Sequence, residues 1–600
     1  MKPKRSLYSN LFTSILSASS LLSACTTQEA DPNQAPHWWK EAVVYQIYPR
    51  SYADSNGDGV GDLRGIIEHL DYIKSLGVDA VWLNPIFSSP NDDNGYDVSD
   101  FTAIMEEFGT LSDFDELLAG LHQRNIRLIL DLVANHSSDE HQWFQQSRLS
   151  RENPYRNYYH WWPAEKGIPA HRHSDMDADL SAWAYDSLTD SYYLHLFSRK
   201  QPDLNWENPA LRQDFYQGMR FWLDRGIDGF RIDAASYISK DTSFPEIDFE
   251  KYQSFGDYYS HGPHLHEYLQ EMNREVLSTY GDVMTVGEGN PWINTLDFTD
   301  ARHHEFSMFY VNANDVAPKQ MPDGSPLVSS EVKMQALRHF YTQQDSLLKD
   351  YGWPTIILGN HDLPRMQSYW GDDSMPESAQ RSSQALITFL MTMRGTVFFY
   401  GGDEIGMQNI RFTDIADYDD IVTKSNYANK LKNDGEEAAQ AYLEQQQREG
   451  RDNARTPMQW NTTDQAGFTT SSQPWLKVNQ NYLSGVNVEA ENQEPSSILN
   501  FYRQAIALRH DKKQTLVYGK YQLIDPDNEK VYGYLRTNNE TGEQLLIAIN
   551  FSSSDAVLNI GDLNINSLNN LLSNYSDSPQ FTGNNELKLQ PWQAFVSVCN

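Results

Sequence analysis

Short β-rich runs alternate with helical stretches along most of the chain, and this alternation constrains the fold more than any other feature. The runs predicted as strands are 43–48, 80–83, 127–133, 229–232, 284–286, 306–310, 355–358 and 397–400. Helical spacing between them is clear at 66–76, 114–124, 211–225 and 383–393. Because strand and helix alternate, the class is α/β with a parallel sheet, and eight such units predict a (β/α)8 TIM barrel.

Two insertions and a change of pattern define the predicted domains. Residues 37–135 are predicted to form the first part of the barrel. A long aromatic stretch at 136–203, which is poor in regular pattern, is predicted to be a loop domain after strand three. The remainder of the barrel, 204–512, includes a polar and irregular subdomain after strand eight. From 513 to 600, short strands separated by turn residues predict a C-terminal antiparallel β-domain.

The N-terminus has the pattern of an export signal. Its first residues are basic, a modestly apolar stretch runs to Leu22, and Leu22 to Cys25 read LSAC. This ending resembles a bacterial lipoprotein cleavage box, so 1–25 is predicted as the signal, Cys25 as the lipidated residue and 26–36 as a polar tether. An ordinary cleaved signal is the alternative. We expect an exported protein that is lipid-anchored to a bacterial membrane, on the periplasmic side or at the cell surface.

The charge balance excludes one class of partner. The chain has 47 Lys and Arg against 82 Asp and Glu, a formal net charge of −35. Such a surface repels nucleic acid, and no basic stripe offsets it. We therefore expect no nucleic-acid partner and no membrane contact apart from the lipid anchor, and the oligomeric state stays open.

Polar residues follow the predicted strands at the end where barrel enzymes carry their chemistry. The motifs are DLVANH at 131–136, GFRID at 229–233, GE at 287–288 and GNHD at 359–362. Three carboxylates, those of Asp233, Glu288 and Asp362, are thereby predicted to meet at one mouth. Arg231 and Asp233 share a face because side chains alternate along a strand, so Arg231 should lower the pKa of Asp233. Glu288, near other carboxylates, should have a raised pKa, and such a pair fits glycoside hydrolysis.

These segments resemble the α-amylase superfamily of glycoside hydrolases, family 13. QPDLN at 201–205 and the segment 451–460 resemble its oligo-1,6-glucosidase and α-glucosidase branch. The resemblance implies a retaining mechanism with Asp233 as nucleophile, Glu288 as acid and base, and Asp362 binding the sugar hydroxyls. It also implies a set of substrate-binding residues: Tyr96, Asp97, His136, Gln201, Arg231, His361 and Arg451.

Within that set, the resemblance assigns Tyr96 to stack on the terminal sugar, and Asp97 and Arg451 to grip its O4 and O6 region. A pocket closed at that end favours exo action on short oligosaccharides. Ala234 follows the nucleophile, and in this branch Ala or Thr there accompanies α-1,4 activity, whereas Val accompanies α-1,6 activity. The predicted function is an exo-acting α-glucosidase that hydrolyses α-1,4-linked maltooligosaccharides.

Other functions stay open at this point. They are an oligo-1,6-glucosidase (isomaltase), a transglycosylase or isomerase such as a trehalose or isomaltulose synthase, and a non-catalytic binding ectodomain. Gly289 and Asn290 depart from the usual residues after the acid, which affects the prediction of linkage.

A separate acidic loop follows the first strand. Its ligand spacing resembles an EF-hand loop over positions 1, 3, 5, 7 and 9, although Gly65 stands where the bidentate Glu would be. In the family this loop resembles a structural Ca²⁺ site, and the alternative is a plain turn. The predicted ligands are Asp54, Asn56, Asp58, Val60 and Asp62.

Overall fold

A computed structural model describes the chain at residues 36–177, 179–291, 293–312, 314, 330–561, 563, 565, 567–577, 579–582 and 585–599. The predicted signal, Cys25 and all of the predicted tether except Pro36 lie outside these residues.

Eight parallel strands form the central sheet, which confirms the (β/α)8 barrel. They are β1 (Val43–Ile47), β2 (Ala80–Leu83), β3 (Arg127–Val133), β4 (Gly229–Asp233), β5 (Met284–Gly289), β6 (Met308–Val311), β7 (Thr355–Ile356) and β8 (Thr396–Tyr400). Their order is β6-β5-β4-β3-β2-β1-β8-β7, and β6 contacts β7 to close the ring. Each strand was predicted from sequence at nearly these bounds.

Helices pack around the barrel. Those between the barrel strands and after the last strand include Leu63–Glu68, Leu70–Leu76, Leu111–Gln123, Pro209–Arg225, Leu265–Glu275, Ser330–Leu348, Pro376–Thr392 and Ile498–Asp511. Helix Leu111–Gln123 begins with a capping box between Thr110 and Asp113, whose side chains each accept the other's backbone N–H. Local sequence signals of this kind explain why the helices begin where the barrel needs them.

The strand side chains fall into two apolar layers. In β1, Val43 and Tyr45 belong to the core between sheet and helices, whereas Val44 packs with Trp82 and Ile129 in a second core of neighbouring-strand side chains. This alternation follows from the two-residue period of a strand. Parallel strands covered on both faces are buried throughout, as β4 is.

The inserted domain is more regular than its sequence predicts. It contains a three-stranded antiparallel sheet in the order Trp161–Pro163, Ser191–Leu194, Trp183–Asp186, with a helix at Gln142–Ser147. Its two ends meet where His136 and Asp203 form an antiparallel bridge. These strands have three or four residues each, too short for a clear alternation in the sequence.

The segment after β8 is helical, and the prediction of an irregular subdomain is wrong there. Helices Ile421–Asn433 and Glu436–Glu449 pack against each other, followed by the short helix Asp452–Arg455. Both long helices carry few buried apolar residues, so no apolar stripe marks them in the sequence.

The C-terminal domain is antiparallel, as predicted. Its strands are β9 (Lys520–Ile524), β10 (Val531–Thr537), β11 (Gln544–Asn550), β12 (Ala556–Asn559), β13 (Leu568–Ser573), β14 (Gln580–Phe581), β15 (Glu586–Leu589) and β16 (Ala594–Cys599). They form sheets ordered β9-β10-β11-β16-β13 and β12-β15-β14. In the described part of the chain, no helix has the length and apolarity to cross a membrane.

Candidate active site

Arg231 connects the carboxylates at the ends of three neighbouring strands. Its Nη1 lies 2.9 Å from Asp131 Oδ1 and 2.7 Å from Asp233 Oδ1, and its Nη2 lies 2.7 Å from Glu288 Oε2. The OH of Tyr310 accepts hydrogen bonds from Nε and Nη2 at 3.2 and 2.8 Å. The planar guanidinium therefore fixes Asp233 and Glu288 relative to each other.

Sheet register brings these residues to one level. Val133 pairs with Asp233, and Ile232 pairs with Gly287, so Glu288 follows at the same end of the sheet as Asp233. Directly after Asp233 the chain turns sharply at Ala234, whose φ is 46°. The Ala234 N–H donates to Glu288 Oε2 at 3.3 Å.

Burial sets the charges of the two carboxyls. Burial raises the pKa of Glu288 to about 7 against the opposing charge of Arg231, while the charges of Asp233 and Asp362 raise it further. Burial also raises the pKa of Asp233 to about 6, because desolvation outweighs the nearby guanidinium. The expected raised pKa of Glu288 agrees in direction, whereas the expected lowered pKa of Asp233 is wrong. Glu288 still holds its proton to higher pH than Asp233 does.

Asp362, in contrast, is held as an anion. His361 Nε2 lies 3.0 Å from its Oδ2, while Arg451 Nη1 and Arg455 Nη2 lie 3.1 and 2.8 Å from its Oδ1. Although burial alone would raise the pKa of Asp362, these three neighbours keep it well below its usual value.

The three predicted carboxylates line one cavity of about 130 Å³ at the mouth of the barrel. Its lining residues are Asp93, Tyr96, His136, Met176, Phe197, Asp233, Ala234, Glu288, Asp362 and Arg451. The loop domain supplies His136, Met176 and Phe197. Sequence reasoning placed Tyr96, His136 and Arg451 here, whereas Met176 and Phe197 lie in a stretch that gave no recognisable motif.

Three predicted substrate-binding residues lie behind this lining. Arg231, Gln201 and His361 are fully buried. Gln201 Nε2 lies 3.1 Å from His136 Nε2, and His361 Nε2 lies 2.6 Å from the Tyr96 OH. They therefore orient the residues that face the cavity.

Asp97 does not face the cavity, and its predicted contact with the sugar is wrong. It is fully buried, and its carboxylate accepts the backbone N–H groups of Asp92 and Asp93 at 2.8 and 3.0 Å and the Ser89 hydroxyl at 2.9 Å. Asp97 thus shapes the loop, while Asp93 occupies the cavity wall beside Arg451. Asp92 and Asp93 lie in the same short segment as Asp97. The sequence alone therefore does not show which of these carboxylates faces the cavity, because that depends on the path of the backbone.

Arg451 closes one side of the cavity. Its Nη2 lies 3.4 Å from Asp93 Oδ1, and its Nη1 lies 3.1 Å from Asp362 Oδ1. Asp420 accepts hydrogen bonds from both its Nε and its Nη2. One cation therefore joins the loop after β2, the loop after β7 and the helical subdomain.

The acidic loop after β1 is ordered by its own hydrogen bonds. Asp54 accepts the N–H groups of Asn56, Gly57 and Gly59, and Asp58 accepts those of Val60 and the Asn56 amide. At its far end, Asp62 caps helix Leu63–Glu68 through the N–H of Gly65. The oxygen donors suit Ca²⁺ in kind, but among the described residues no three His, Cys, Asp or Glu side chains are grouped to hold a metal ion. The calcium site stays a prediction.

Comparison with known proteins decides the family. Residues 46–519 match the alpha-amylase catalytic domain, and residues 521–596 match the maltogenic amylase C-terminal domain. The chain belongs to the α-amylase family. This α-amylase family member is a glycoside hydrolase, and its relatives place it among the glucosidases of family 13.

Two curated relatives of this family member span nearly its whole length. The oligo-1,6-glucosidase of Parageobacillus thermoglucosidasius is 46% identical over 570 residues, covering 93% of this chain and 98% of that protein. The α-glucosidase of Pediococcus pentosaceus is 41% identical, with the same coverage of 93% and 98%.

Solved structures agree with the fold. An inactive double mutant of MutB, in complex with isomaltulose, superimposes with a TM-score of 0.88 at 41% identity, covering 94% of this chain and 100% of that one. An isomaltulose synthase mutant from Erwinia rhapontici NX5, in complex with D-glucose, gives 0.87 at 40% identity and the same coverage.

Proposed function

We propose that this enzyme is a retaining, exo-acting α-glucosidase that removes single glucose units from the non-reducing ends of short α-1,4-linked oligosaccharides. The observation that carries the proposal is the guanidinium of Arg231, which holds Asp233 and Glu288 together on the wall of a small cavity. A carboxylate and a carboxylic acid held close together are what double displacement requires.

In the proposed mechanism, Asp233 attacks the anomeric carbon while Glu288 donates its proton to the leaving oxygen, so a glucosyl ester forms as the glycosidic bond breaks. Water then loses a proton to Glu288 and attacks the ester, which releases glucose with its configuration retained. Glu288 suits the acid role because its raised pKa of about 7 leaves a large share of it protonated near neutrality, whereas an ordinary glutamate would be ionised. Asp362, held as an anion, suits hydrogen bonding to sugar hydroxyls.

Exo action is supported by the shape of the cavity. Asp93, Arg451 and Asp362 form a connected charged wall, with Tyr96 beside them in the lining. We infer that a wall on that side stops a longer glucan chain from continuing past the terminal sugar.

The α-1,4 preference is supported by Ala234, which lines the cavity directly after Asp233. Its methyl group leaves space that a β-branched side chain would fill, and the family resemblance associates a small residue there with α-1,4 linkages. The names of the oligo-1,6-glucosidase relatives favour α-1,6 linkages instead, so linkage needs a direct measurement.

The test is an initial-rate panel of maltose, maltotriose, isomaltose, sucrose, trehalose and soluble starch, with NMR of the first anomer released. We expect maltose and maltotriose to give the highest kcat/KM, starch the lowest, and α-glucose to appear before mutarotation. Initial β-glucose would overturn the retaining mechanism, and faster release from isomaltose would overturn the linkage.

Sucrose isomerisation is the second candidate. It is favoured by the likeness to MutB, a trehalulose synthase, and by the structure of a MutB mutant with sucrose, which has a TM-score of 0.88. Product analysis after incubation with sucrose distinguishes the two: glucose and fructose in equal amounts support hydrolysis, while isomaltulose or trehalulose supports isomerisation.

We also propose a lipid anchor at Cys25, outside the described residues, on the pattern of basic start, apolar stretch and LSAC. The wild type should then fractionate with membranes of a bacterial host, and a Cys25→Ser variant should not. The same resemblance to the family supports a structural Ca²⁺ bound by the loop at 54–62, away from the chemistry.

A further inference from the structure

The wall of the cavity depends on one arginine that is shared among three carboxylates. Arg451 reaches Asp93 and Asp362 with its two terminal nitrogens, and both contacts exceed 3 Å. Its tightest contact is with Asp420, whose Oδ1 lies 2.9 Å from Nε and 2.5 Å from Nη2. Asp420 therefore holds the guanidinium more firmly than the cavity residues do.

Asp420 is itself fixed from two sides. Asp420 is the N-cap residue of helix Ile421–Asn433, and its carboxylate accepts hydrogen bonds from the N–H groups of Val422 and Thr423 and from the Thr423 hydroxyl. Its own N–H donates to Asp452 at 2.9 Å. With 1% of its surface exposed, it has no freedom to follow a moving arginine.

The geometry points to Asp420 as a positioning residue for glucose binding, which acts through Arg451 and not by touching the sugar. This inference rests on the proposed function for the identity of the sugar. By making the tightest contacts, to Nε and Nη2, Asp420 holds the guanidinium at 3.1 Å from Asp362 and 3.4 Å from Asp93 and keeps it from moving closer to either carboxylate. The two carboxylates then stay available for sugar hydroxyls.

This arrangement gives the helical subdomain a part in recognition. The cap of helix Ile421–Asn433 and the arginine after helix Glu436–Glu449 are joined by the Asp420–Arg451 pair. A change in how these helices pack would therefore reach the cavity through that ion pair.

Asp420→Asn separates the two roles of the residue. Asn caps helices as well as Asp, so the helix keeps its start while Arg451 loses the charge of its tightest anionic partner. We expect the Kd for glucose, measured by calorimetry, to rise at least about tenfold, with KM rising alongside and kcat changing less. Asp414→Asn is the matched control, because Asp414 likewise caps a neighbouring short helix, through Ala416 N–H, and is not among the residues that line the cavity. It should leave the Kd within about twofold.

A double-mutant cycle with Arg451→Gln tests the route of the effect. If Asp420 acts through Arg451, Asp420→Asn should change the glucose Kd by less than about twofold in the Arg451→Gln background. About twofold is the margin within which the free-energy effects of independent mutations add, so a smaller change counts as no effect. An equal tenfold loss in both backgrounds would overturn the inference, as would an equal loss in Asp414→Asn.

A second variant tests the inference if Asp420→Asn does not fold. Asp420→Ser keeps a capping oxygen but cannot reach Arg451, and it should weaken glucose binding as Asp420→Asn does, at a melting temperature close to that of the wild type. Wild-type glucose binding by either variant would overturn the inference. The glucose readout does not depend on linkage, so a wild type that binds glucose but fails on maltose overturns only the proposed function.

Discussion

Arg231 and Glu288 form an ion pair of 2.7 Å in which the arginine works against the role that we propose for the glutamate. A guanidinium at this distance favours the carboxylate form, yet burial and two neighbouring carboxylates raise the pKa of Glu288 to about 7. The balance leaves a carboxylic acid that is about half protonated at pH 7. The proposed roles of Glu288 as the acid and Asp233 as the nucleophile both depend on this balance.

The first prediction tests that balance by removing the proton. In Glu288→Gln the side chain keeps its shape but cannot protonate a leaving group, so hydrolysis of maltose should fall by about 10²–10⁴-fold. Glucosides with leaving groups that need no proton should still give a burst of the released group. Asp233→Asn should abolish turnover of both substrates. Equal loss on both substrates in Glu288→Gln would contradict the acid role.

The second prediction concerns the pH profile of kcat/KM. Asp233 must be ionised, so activity should rise as pH increases through about 6, and Glu288 must be protonated, so activity should fall as pH increases through about 7. The pair therefore gives a narrow maximum between these values, with apparent constants that belong to both groups. With an activated leaving group, Glu288→Gln should lose the alkaline limb alone. Retention of that limb would assign it to another group.

The barrel was predictable from sequence because its strands are continuous apolar runs, and their ends carry residues whose type matters. Asp233, Glu288 and Asp362 came to one cavity because a parallel barrel presents all strand ends at one mouth. Knowing that the strands alternate also placed Arg231 on the face of Asp233.

What sequence could not supply was the path of the loops and the effect of burial. Asp93 and Asp97 stand four residues apart in one segment, and only the turn between them decides which one faces the cavity. The pKa of Asp233 was predicted in the wrong direction because a contact with Arg231 can be inferred from spacing, whereas complete desolvation depends on every element around it. The helices after β8 carried no apolar stripe to reveal them.

The third prediction separates Asp93 from Asp97. Asp93→Asn removes a charge from the cavity wall beside Arg451, and KM should rise about tenfold, the size expected for losing one hydrogen bond to a charged group. Asp97→Asn replaces one of two accepting oxygens with an NH2 group, so one backbone N–H donor loses its acceptor, which should cost about 1–3 kcal/mol of stability. Substrate kinetics and thermal melting of both variants check this, and a larger KM change in Asp97→Asn would restore the original assignment.

The fourth prediction concerns calcium. If the loop at 54–62 holds Ca²⁺, removing the ion with a chelator should lower the melting temperature while kcat at low temperature stays the same, because the loop lies outside the cavity lining. A variant with Asp54 and Asp58 both changed to Asn should show the lower melting temperature with or without chelator. An unchanged melting temperature in the chelated wild type would leave the loop as a turn held by its own hydrogen bonds.

The last prediction concerns linkage and uses Ala234. Its backbone has a φ of 46°, a region in which a β-branched residue is strained by about 1–2 kcal/mol, so Ala234→Val should lower the melting temperature. Its larger side chain should also narrow the cavity next to Asp233 and reduce the ratio of maltose to isomaltose kcat/KM by about tenfold, which is about 1.4 kcal/mol of discrimination. Ala234→Gly is the matched control, because glycine adopts this conformation freely and adds no bulk. It should keep the preference for maltose, and a Val variant with an unchanged ratio would show that Ala234 does not set the linkage.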